Sequence, residues 1–254
     1  MKLYINWFSP FARKAALALD HKGLEYEAVD GLAHAHAAEL KALNARAEVP
    51  TLVDNGLVVV NSSDILAYLD HRYPDGPSIY PADAGLRVCA RAVERLADTR
   101  IDAILLDSSL WTWAKRSDAP PEGLHEAAQG DLNIAFAEIE KSFAAEGADY
   151  MFGDAPGAAE FALWPHLSAL RALGFSLDAD RFPKTHALLA RLRGEKAFRE
   201  DAARTGAFLK FFTADTHETT KIFWRGDRIE WLLARGFHKW FFKEIEENRV
   251  LWPI

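Results

Sequence analysis

A stretch rich in proline and glycine, PDGPSIYPAD at residues 74–83, divides the chain into two parts that differ in hydrophobic periodicity. Before it, short runs that alternate apolar and polar residues are interleaved with runs at helical spacing. After it, the apolar residues follow helical spacing only. The pattern therefore predicts a small α/β domain, then a linker, then an all-α domain.

The first part predicts a βαβ unit, a short helix, a hairpin and a last helix. Residues 2–6 and 24–30 alternate as strands do, and between them residues 11–22 carry Ala and Leu at helical spacing. A βαβ unit of this kind is expected to be parallel and right-handed. After an Ala-rich helix at residues 32–43, VPTLVD and LVVV flank an Asn-Gly turn and predict a β-hairpin. The segment SSDILAYLDHRYP then predicts a capped helix that ends before a proline.

The second part predicts a bundle with a further extension. The helical segments that we predict are 84–117, 122–146, 157–173, 183–193 and 195–204. The remaining chain is dense in aromatic residues, and its apolar positions between residues 229 and 245 predict one or two amphipathic helices. Such a stripe either packs on the bundle or forms a surface for a partner.

Composition limits the function classes. Half of the 254 residues are apolar, enough for a sizeable core, and the formal charge of −7 argues against a nucleic-acid-binding protein. The single cysteine excludes a disulfide framework and a CxxC motif. We find neither a signal peptide nor an apolar run of about 20 residues, so we expect a cytoplasmic protein that does not bind membranes.

One motif at the first helix points to chemistry. In NWFSPFARK, Ser9 and Pro10 stand directly after the first strand, where serine is a good N-cap and proline suits the first helical position. Ser9 is therefore either a cap alone or a hydroxyl that holds an anion at the positive end of a helix.

Four segments resemble the glutathione transferase family. They are SPFARKAALALDHKGLEYE, AEVPTLVD, VVVNSSDILAYLDHRYP and GDAPGAAEFALWPHL, and the similarity in organisation extends over residues 2–205. The resemblance implies a thioredoxin-like domain at 1–76, a linker at 77–83, a helical bundle at 84–205 and an extension at 206–254. It also implies a homodimer.

The resemblance implies that glutathione is a co-substrate and that Ser9 donates a hydrogen bond to its thiolate, which attacks an apolar electrophile. A free thiol has a pKa of about 8.5, so a donor at a helix N-terminus favours the reactive anion. The glutathione-binding positions that the resemblance implies are Phe11, Glu48, Val49, Pro50 (the family's cis-proline), Asn61, Ser62 and Ser63. The residues that we predict for the electrophile pocket are Trp7, Phe8, Leu106, Trp111 and Trp113. We expect no metal site.

Two positions depart from the family pattern. Asn61 stands where the family carries an acid that pairs with the γ-glutamyl ammonium, and Glu48 stands where many members carry Lys, Arg or Gln near the glycyl carboxylate. Since a charge-assisted hydrogen bond is roughly twice as strong as a neutral one, both changes predict weaker glutathione binding.

These departures keep a second function open. The family that the chain resembles includes members that bind a partner instead of catalysing a reaction. Among them are alphaproteobacterial division proteins that bind the tubulin-like protein FtsZ. In that alternative the chain is a scaffold or regulator whose C-terminal extension binds a protein partner, with Asp227, Leu251 and Trp252 at the surface. The intact Ser9, Pro50 and Ser62 favour the enzyme.

Overall fold

A computed structural model of the chain describes residues 1–113, 116–144, 149–213, 215–217, 222–223 and 225–251, without the side chains of 222, 223 and 251. It has an α/β domain, a helical domain and a helical extension, as the sequence predicts. No helix in these ranges is long and apolar enough to cross a membrane.

The α/β domain contains a mixed four-stranded sheet. Its elements are β1 (Lys2–Ile5), α1 (Pro10–His21), β2 (Glu27–Asp30), α2 (Ala37–Leu43), β3 (Thr51–Asp54), β4 (Leu57–Val60) and α3 (Ser62–Arg72). The strand order is β2-β1-β3-β4; β1 and β2 are parallel, and the other two pairs are antiparallel. The predicted βαβ unit and hairpin are thus confirmed.

The hairpin is fixed by its turn and by a buried carboxylate. Asn55 and Gly56 both have positive φ, 48° and 86°, which is the geometry that favours Asn-Gly in two-residue turns. At the end of β3, Asp54 is buried and accepts hydrogen bonds from the hydroxyls of Tyr68 (2.7 Å) and Tyr73 (2.5 Å). These bonds hold the hairpin against α3.

The helical domain and extension follow the linker. Their elements are α4 (Ala84–Leu96), a π-helical turn (Ala97–Ile101), α5 (Asp102–Ser108), α6 (Leu110–Trp113), α7 (Leu124–Lys141), α8 (Ala158–Ala169), a 3₁₀ turn (Leu170–Leu173), α9 (Pro183–Gly194), α10 (Lys196–Phe208), β5 (Ile222–Phe223), α11 (Gly226–Ala234), α12 (His238–Glu246) and β6 (Val250–Leu251). The predicted continuous helix 84–117 is therefore wrong. It breaks at Ser109, where the Leu106 carbonyl accepts from the Ser109 hydroxyl (3.3 Å) and the Trp113 indole N–H (3.2 Å) instead of from the Leu110 N–H, as a continuous helix would require.

Helix α1 lies between the sheet and the helical domain, and α8 is its main partner in that domain. The start of α8 requires a glycine at its N-cap, Gly157. A Cβ atom there would lie 2.6 Å from the carbonyl oxygen of Ile79, so only glycine fits. Glu160 supplies the cap instead, since its carboxylate accepts hydrogen bonds from the backbone N–H groups of Gly157 (2.9 Å) and Met151 (2.8 Å).

The extension packs on the bundle around a small apolar core of its own. That core consists of Leu110, Leu124, Ile229, Leu232, Phe241 and Val250. Helix α11 lies against α5, where the Arg228 guanidinium donates to the buried Asp102 carboxylate at 2.9 Å. Backbone pairing of Phe223 with Leu251 closes the segment as a parallel strand pair, which the sequence analysis does not predict.

Candidate functional site

The sheet register brings three segments together at one end of the α/β domain. Tyr4 of β1 pairs with Thr51 of β3, and Thr51 pairs with Val60 of β4. The loop after β1, the residues before β3 and the residues after β4 therefore converge. These segments contain Ser9, Pro50 and Asn61, the residues that the sequence analysis singles out.

Ser9 is the N-cap of α1. Its backbone is extended and its Oγ accepts a hydrogen bond from the Ala12 N–H at 3.4 Å, with Pro10 at the first helical position. The side chain is half-buried, and its hydroxyl donates no hydrogen bond to any group in the part of the chain that the structure describes. The hydroxyl hydrogen is thus available at the positive end of a helix with no acid in its first turn.

Asn61 caps α3 from a left-handed conformation. Its φ is 70°, which asparagine tolerates better than most residues, and its Oδ1 accepts from the Ser63 N–H at 3.1 Å. The next residue, Ser62, is buried in the first turn. The side chain that stands where the family has an acid is therefore already engaged in helix capping.

Ser63 faces a buried ion cluster between the domains. Its hydroxyl donates to Glu94 at 2.7 Å and accepts from Lys14 Nζ at 3.2 Å. Lys14 has no solvent exposure and also donates to Glu94 and Asp98, and burial raises the pKa of Asp98. The hydroxyl and N–H of Ser63 are thus both engaged within the protein, and they tie the starts of α1 and α3 to α4.

The segment before β3 carries an exposed ion pair. The Arg46 guanidinium donates two hydrogen bonds to the Glu48 carboxylate, at 2.9 and 2.8 Å. The Val49–Pro50 peptide is cis, as the resemblance implies. Arg46 therefore offsets the negative charge of Glu48 at this edge of the site, a compensation that the sequence analysis missed.

Two of the predicted pocket residues lie beside Ser9. The Phe8 ring packs against Trp113, with centroids 5.1 Å apart, and stacks on Phe212 at 5.5 Å. On the other side of Ser9, the Arg225 guanidinium lies 4.3 Å from the centroid of the Phe11 ring. The rings that flank Ser9 are thus covered by side chains of the extension.

The other predicted pocket residues lie elsewhere. The Trp7 ring lies 5.4 Å from the Arg204 guanidinium of α10 and lines a separate groove, and its part in the electrophile pocket stays a prediction. Trp111 packs on Trp240 in the apolar core of the extension. Leu106 contributes its carbonyl oxygen, which accepts from the Trp113 indole N–H at 3.2 Å. These placements depend on the break at Ser109, which the periodicity does not reveal.

A chain of hydrogen bonds links the extension to the loop before Ser9. The Phe8 N–H donates to Asn6 Oδ1 (3.1 Å), and Asn6 Nδ2 donates to Asp30 Oδ1 (3.0 Å). The other carboxylate oxygen of Asp30 lies 2.7 Å from Nε2 of His217, whose ring is buried. Sequence reasoning missed these residues, because nothing in their spacing associates positions 6, 30 and 217.

Two buried titratable groups, one in α5 and one in α8, lack full hydrogen bonding. Burial raises the pKa of Asp107 to about 7, and its Oδ2 has no partner among the described residues. Burial lowers the pKa of His166 to about 4, and its Nε2 also has no partner there. Both side chains are therefore neutral across part of the physiological range.

The residues predicted for partner binding are only partly described. Asp227 pairs with Arg225 at 3.2 Å and its side chain is 25% exposed, so it lies at the edge of the covered Phe11 region. Leu251 belongs to β6, and Trp252 lies outside the described residues. Within the described ranges, no three His, Cys, Asp or Glu side chains form a group that could hold a metal ion.

Comparison with known proteins identifies the family. Residues 3–78 match the family described as glutathione S-transferase, N-terminal domain, and residues 122–191 match the corresponding C-terminal domain. A maleylacetoacetate isomerase of Pseudomonas aeruginosa is 30% identical over 207 residues, covering 79% of this chain and 94% of that protein. A maleylpyruvate isomerase of a Ralstonia species is also 30% identical, covering 80% of this chain and 96% of that protein.

Solved structures agree with the sequence relatives. A holo maleylpyruvate isomerase, described as a bacterial zeta-class glutathione S-transferase, has a TM-score of 0.65 at 28% identity and covers 79% of this chain and 96% of its own. A glutathione S-transferase from Rhodospirillum rubrum has a TM-score of 0.67 at 25% identity, covering 79% of this chain and 90% of its own. The chain belongs to the glutathione S-transferase family.

Proposed function

We propose that the chain binds glutathione where α1 and α3 begin, and that Ser9 donates a hydrogen bond to the glutathione thiolate. The observation that carries the proposal is the placement of Ser9. It caps a helix with its lone pair, while its hydrogen remains available to a ligand. The thiolate then attacks a small electrophile, either displacing halide from an aromatic halide or adding to a double bond whose other carbon takes up a proton.

The physical basis is stabilisation of the anion. A thiol with a pKa of about 8.5 is mostly protonated at neutral pH, and only the thiolate is a good nucleophile. The α1 N-terminus supplies a positive potential, and the hydroxyl supplies a hydrogen bond to the charged form. Both act on a sulfur atom within hydrogen-bond distance of the Ser9 hydroxyl, so Ser9 is a donor rather than a nucleophile.

The two charged groups at the γ-glutamyl end of glutathione meet different surroundings. Ser62, in the first turn of α3, offers a hydroxyl and an N–H for the γ-glutamyl carboxylate. Asn61 offers the ammonium no charge, since it is a neutral amide that already caps α3. We therefore infer that glutathione binds more weakly than it would opposite an acid at position 61.

The electrophile approaches Ser9 along the aromatic cluster of Phe8, Trp113 and Phe212, which includes a side chain of the extension. The aromatic rings there favour an apolar body. The two isomerase relatives are named for maleyl compounds, in which an electron-poor double bond is the group that a thiolate attacks. Two classes of electrophile should therefore be tested, an aromatic halide and an unsaturated acid of this kind.

The test compares turnover of wild type and variants with an aromatic halide and a maleyl acid. Ser9→Ala should lower turnover at least about tenfold, equivalent to ~1.4 kcal/mol, while Ser9→Thr should retain most of it. The matched control is Asp83→Ala, which removes the N-cap bond of α4 from Leu86 N–H (2.8 Å) without touching the site. Unchanged turnover in Ser9→Ala would reduce Ser9 to a cap.

The scaffold remains a second candidate because the extension exposes apolar side chains. Phe242 and Ile245 of α12 are 52% and 36% exposed, beyond the apolar core that the extension already fills. The test is co-sedimentation with FtsZ filaments. Under the scaffold hypothesis Phe242→Asp or Asp227→Lys abolishes co-sedimentation without changing the melting temperature. Full retention by both variants, or no co-sedimentation of wild type, would contradict it.

A further inference from the structure

A cavity lies at the opposite end of α3 from the proposed glutathione site. Its volume is about 290 Å³, and it is bordered by the last turn of α3, the linker and the first two turns of α4. The two ends of an 11-residue helix are about 15 Å apart, so this cavity is separate from Ser62. The polar residues that line it are Lys22, Asp70, His71, Ser78, Arg87 and Arg91.

The charges around the cavity do not cancel. Three basic side chains, Lys22, Arg87 and Arg91, stand against the single carboxylate of Asp70, and Lys22 Nζ also donates to two backbone carbonyls. That carboxylate lies 3.7 Å from Lys22 Nζ and 3.8 Å from Arg87, and it also accepts a hydrogen bond from a backbone N–H. Arg91 has no carboxylate within 4 Å in the part of the chain that the structure describes. A surplus of two positive charges is thus concentrated here, on a chain whose net charge is −7.

One aromatic ring positions both arginines. Arg87 and Arg91 are four residues apart on α4, and each guanidinium lies 5.8 Å from the centroid of the Tyr80 ring. Tyr80 is itself buried, and its hydroxyl donates to Glu94 at 2.9 Å. Arg87 is further fixed by its Nε–H, which donates to the Pro81 carbonyl at 3.0 Å. The two guanidinium groups are therefore held over the buried Tyr80 ring, and both side chains line the same cavity.

We propose that this cavity binds a small oxyanion, and specifically the phosphate group of a small metabolite. Guanidinium forks match the geometry of phosphate oxygens and bind them with charge-assisted hydrogen bonds. The His71 ring and the Ser78 hydroxyl add donors at the rim. The cavity volume exceeds that of a phosphate ion, so it leaves room for the organic part of a phosphomonoester.

The experiment is calorimetric titration with inorganic phosphate, glycerol 3-phosphate and succinate, each against sodium chloride of matched ionic strength. We expect both phosphates to bind, and the ester to bind more tightly if the cavity also contacts its organic part. Arg91→Ala should weaken binding at least tenfold. The control is Arg95→Ala, one turn further along α4 and exposed but outside the cavity, which should change affinity less than twofold.

Three results would overturn the proposal. One is that about 10 mM phosphate neither binds nor raises the melting temperature. The dissociation constant would then exceed about 10 mM, which is too weak for useful binding in a cell. Another is succinate binding as tightly as phosphate, since the site would then be a general anion site. The last is an Arg91→Ala variant that self-associates more weakly but binds phosphate unchanged, which would assign the arginines to contact with a second copy.

Discussion

The Nε2 atom of His217 lies 2.7 Å from Oδ2 of Asp30, and this contact joins the C-terminal extension to the sheet domain. Through Asn6, the same carboxylate holds the loop that leads to Ser9. Phe212 stacks on Phe8 in the same loop. The extension therefore contributes to the position of the proposed catalytic residue.

Removing this link should impair both stability and turnover. We expect His217→Ala to lower the free energy of unfolding by about 1–3 kcal/mol, because Asp30 loses a buried partner. Turnover should fall several-fold at saturating glutathione, measured with the aromatic halide, and His217→Gln should recover part of it. The control is His34→Ala, whose exposed side chain makes no such contact. Equal turnover in wild type and His217→Ala would separate the extension from the site.

Position 61 is where glutathione affinity should respond to charge. We expect Asn61→Asp to tighten binding by about 1 kcal/mol, since it adds a charge opposite the ammonium and keeps an oxygen that caps Ser63 N–H. Asn61→Glu should gain less, because a longer side chain loses the cap and the φ of 70° suits it poorly. Calorimetric titration with glutathione measures both variants. Weaker binding by Asn61→Asp would mean that the site serves another ligand.

Asp107 should make stability depend on pH. Its pKa is about 7 in the folded protein and near 3.8 when unfolded, so between these values the folded state binds more protons. Stability from this group is therefore present below pH 4 and is lost as the pH rises to 7. Asp107→Asn should match wild type at pH 4 and exceed it by roughly 4 kcal/mol above pH 7.

Chemical denaturation across this pH range measures the difference between the two proteins. His166 contributes an opposite slope, since its pKa is lowered to about 4, but that contribution is common to both proteins and cancels. Parallel stability curves for wild type and Asp107→Asn would show that the carboxyl is ionised or solvated in the folded protein.

We propose that the chain forms a two-fold homodimer, the commonest closed symmetry. Val88 of α4 is 68% exposed, and Leu57 and Val60 of β4 are 51% and 41% exposed, which leaves apolar surface on both domains. Val88→Asp should weaken the dimer at least tenfold, whereas Ile134→Asp on the exposed face of α7 should not. Sedimentation of wild type only as a 28.4 kDa species at micromolar concentration would contradict the proposal.

Local rules were sufficient for most of the α/β domain. The N-cap at Ser9, the Asn55-Gly56 turn and the alternation in β1 each depend on residues close in sequence, and each leads to the observed geometry. Periodicity was insufficient for the helix after the linker. At the break at Ser109, side-chain donors of Ser109 and Trp113 occupy the Leu106 carbonyl, and a hydrophobic pattern does not reveal such bonds.

The site was predicted less completely than the fold. Its backbone segments were identified because the resemblance covers them, but the surrounding side chains come from distant positions. Arg225 contacts Phe11 and His217 contacts Asp30, and both come from the C-terminal extension. The aromatic density of that segment predicts that it is buried but does not predict which residues it packs against. The groove that Trp7 lines could not be predicted either, because Trp7 contacts Arg204 while its neighbour Phe8 contacts Trp113.

The most direct test of the central claim is the pKa of the glutathione thiol when bound, read from the ultraviolet absorbance of the thiolate across pH. In wild type we expect it at least one unit below the free value of about 8.5, because Ser9 and the α1 N-terminus stabilise the anion. In Ser9→Ala the pKa of the bound thiol should return most of the way to its free value, while in Ser9→Thr it should stay near the wild-type value. An unshifted thiol in wild type, or an equal shift in wild type and Ser9→Ala, would contradict the account.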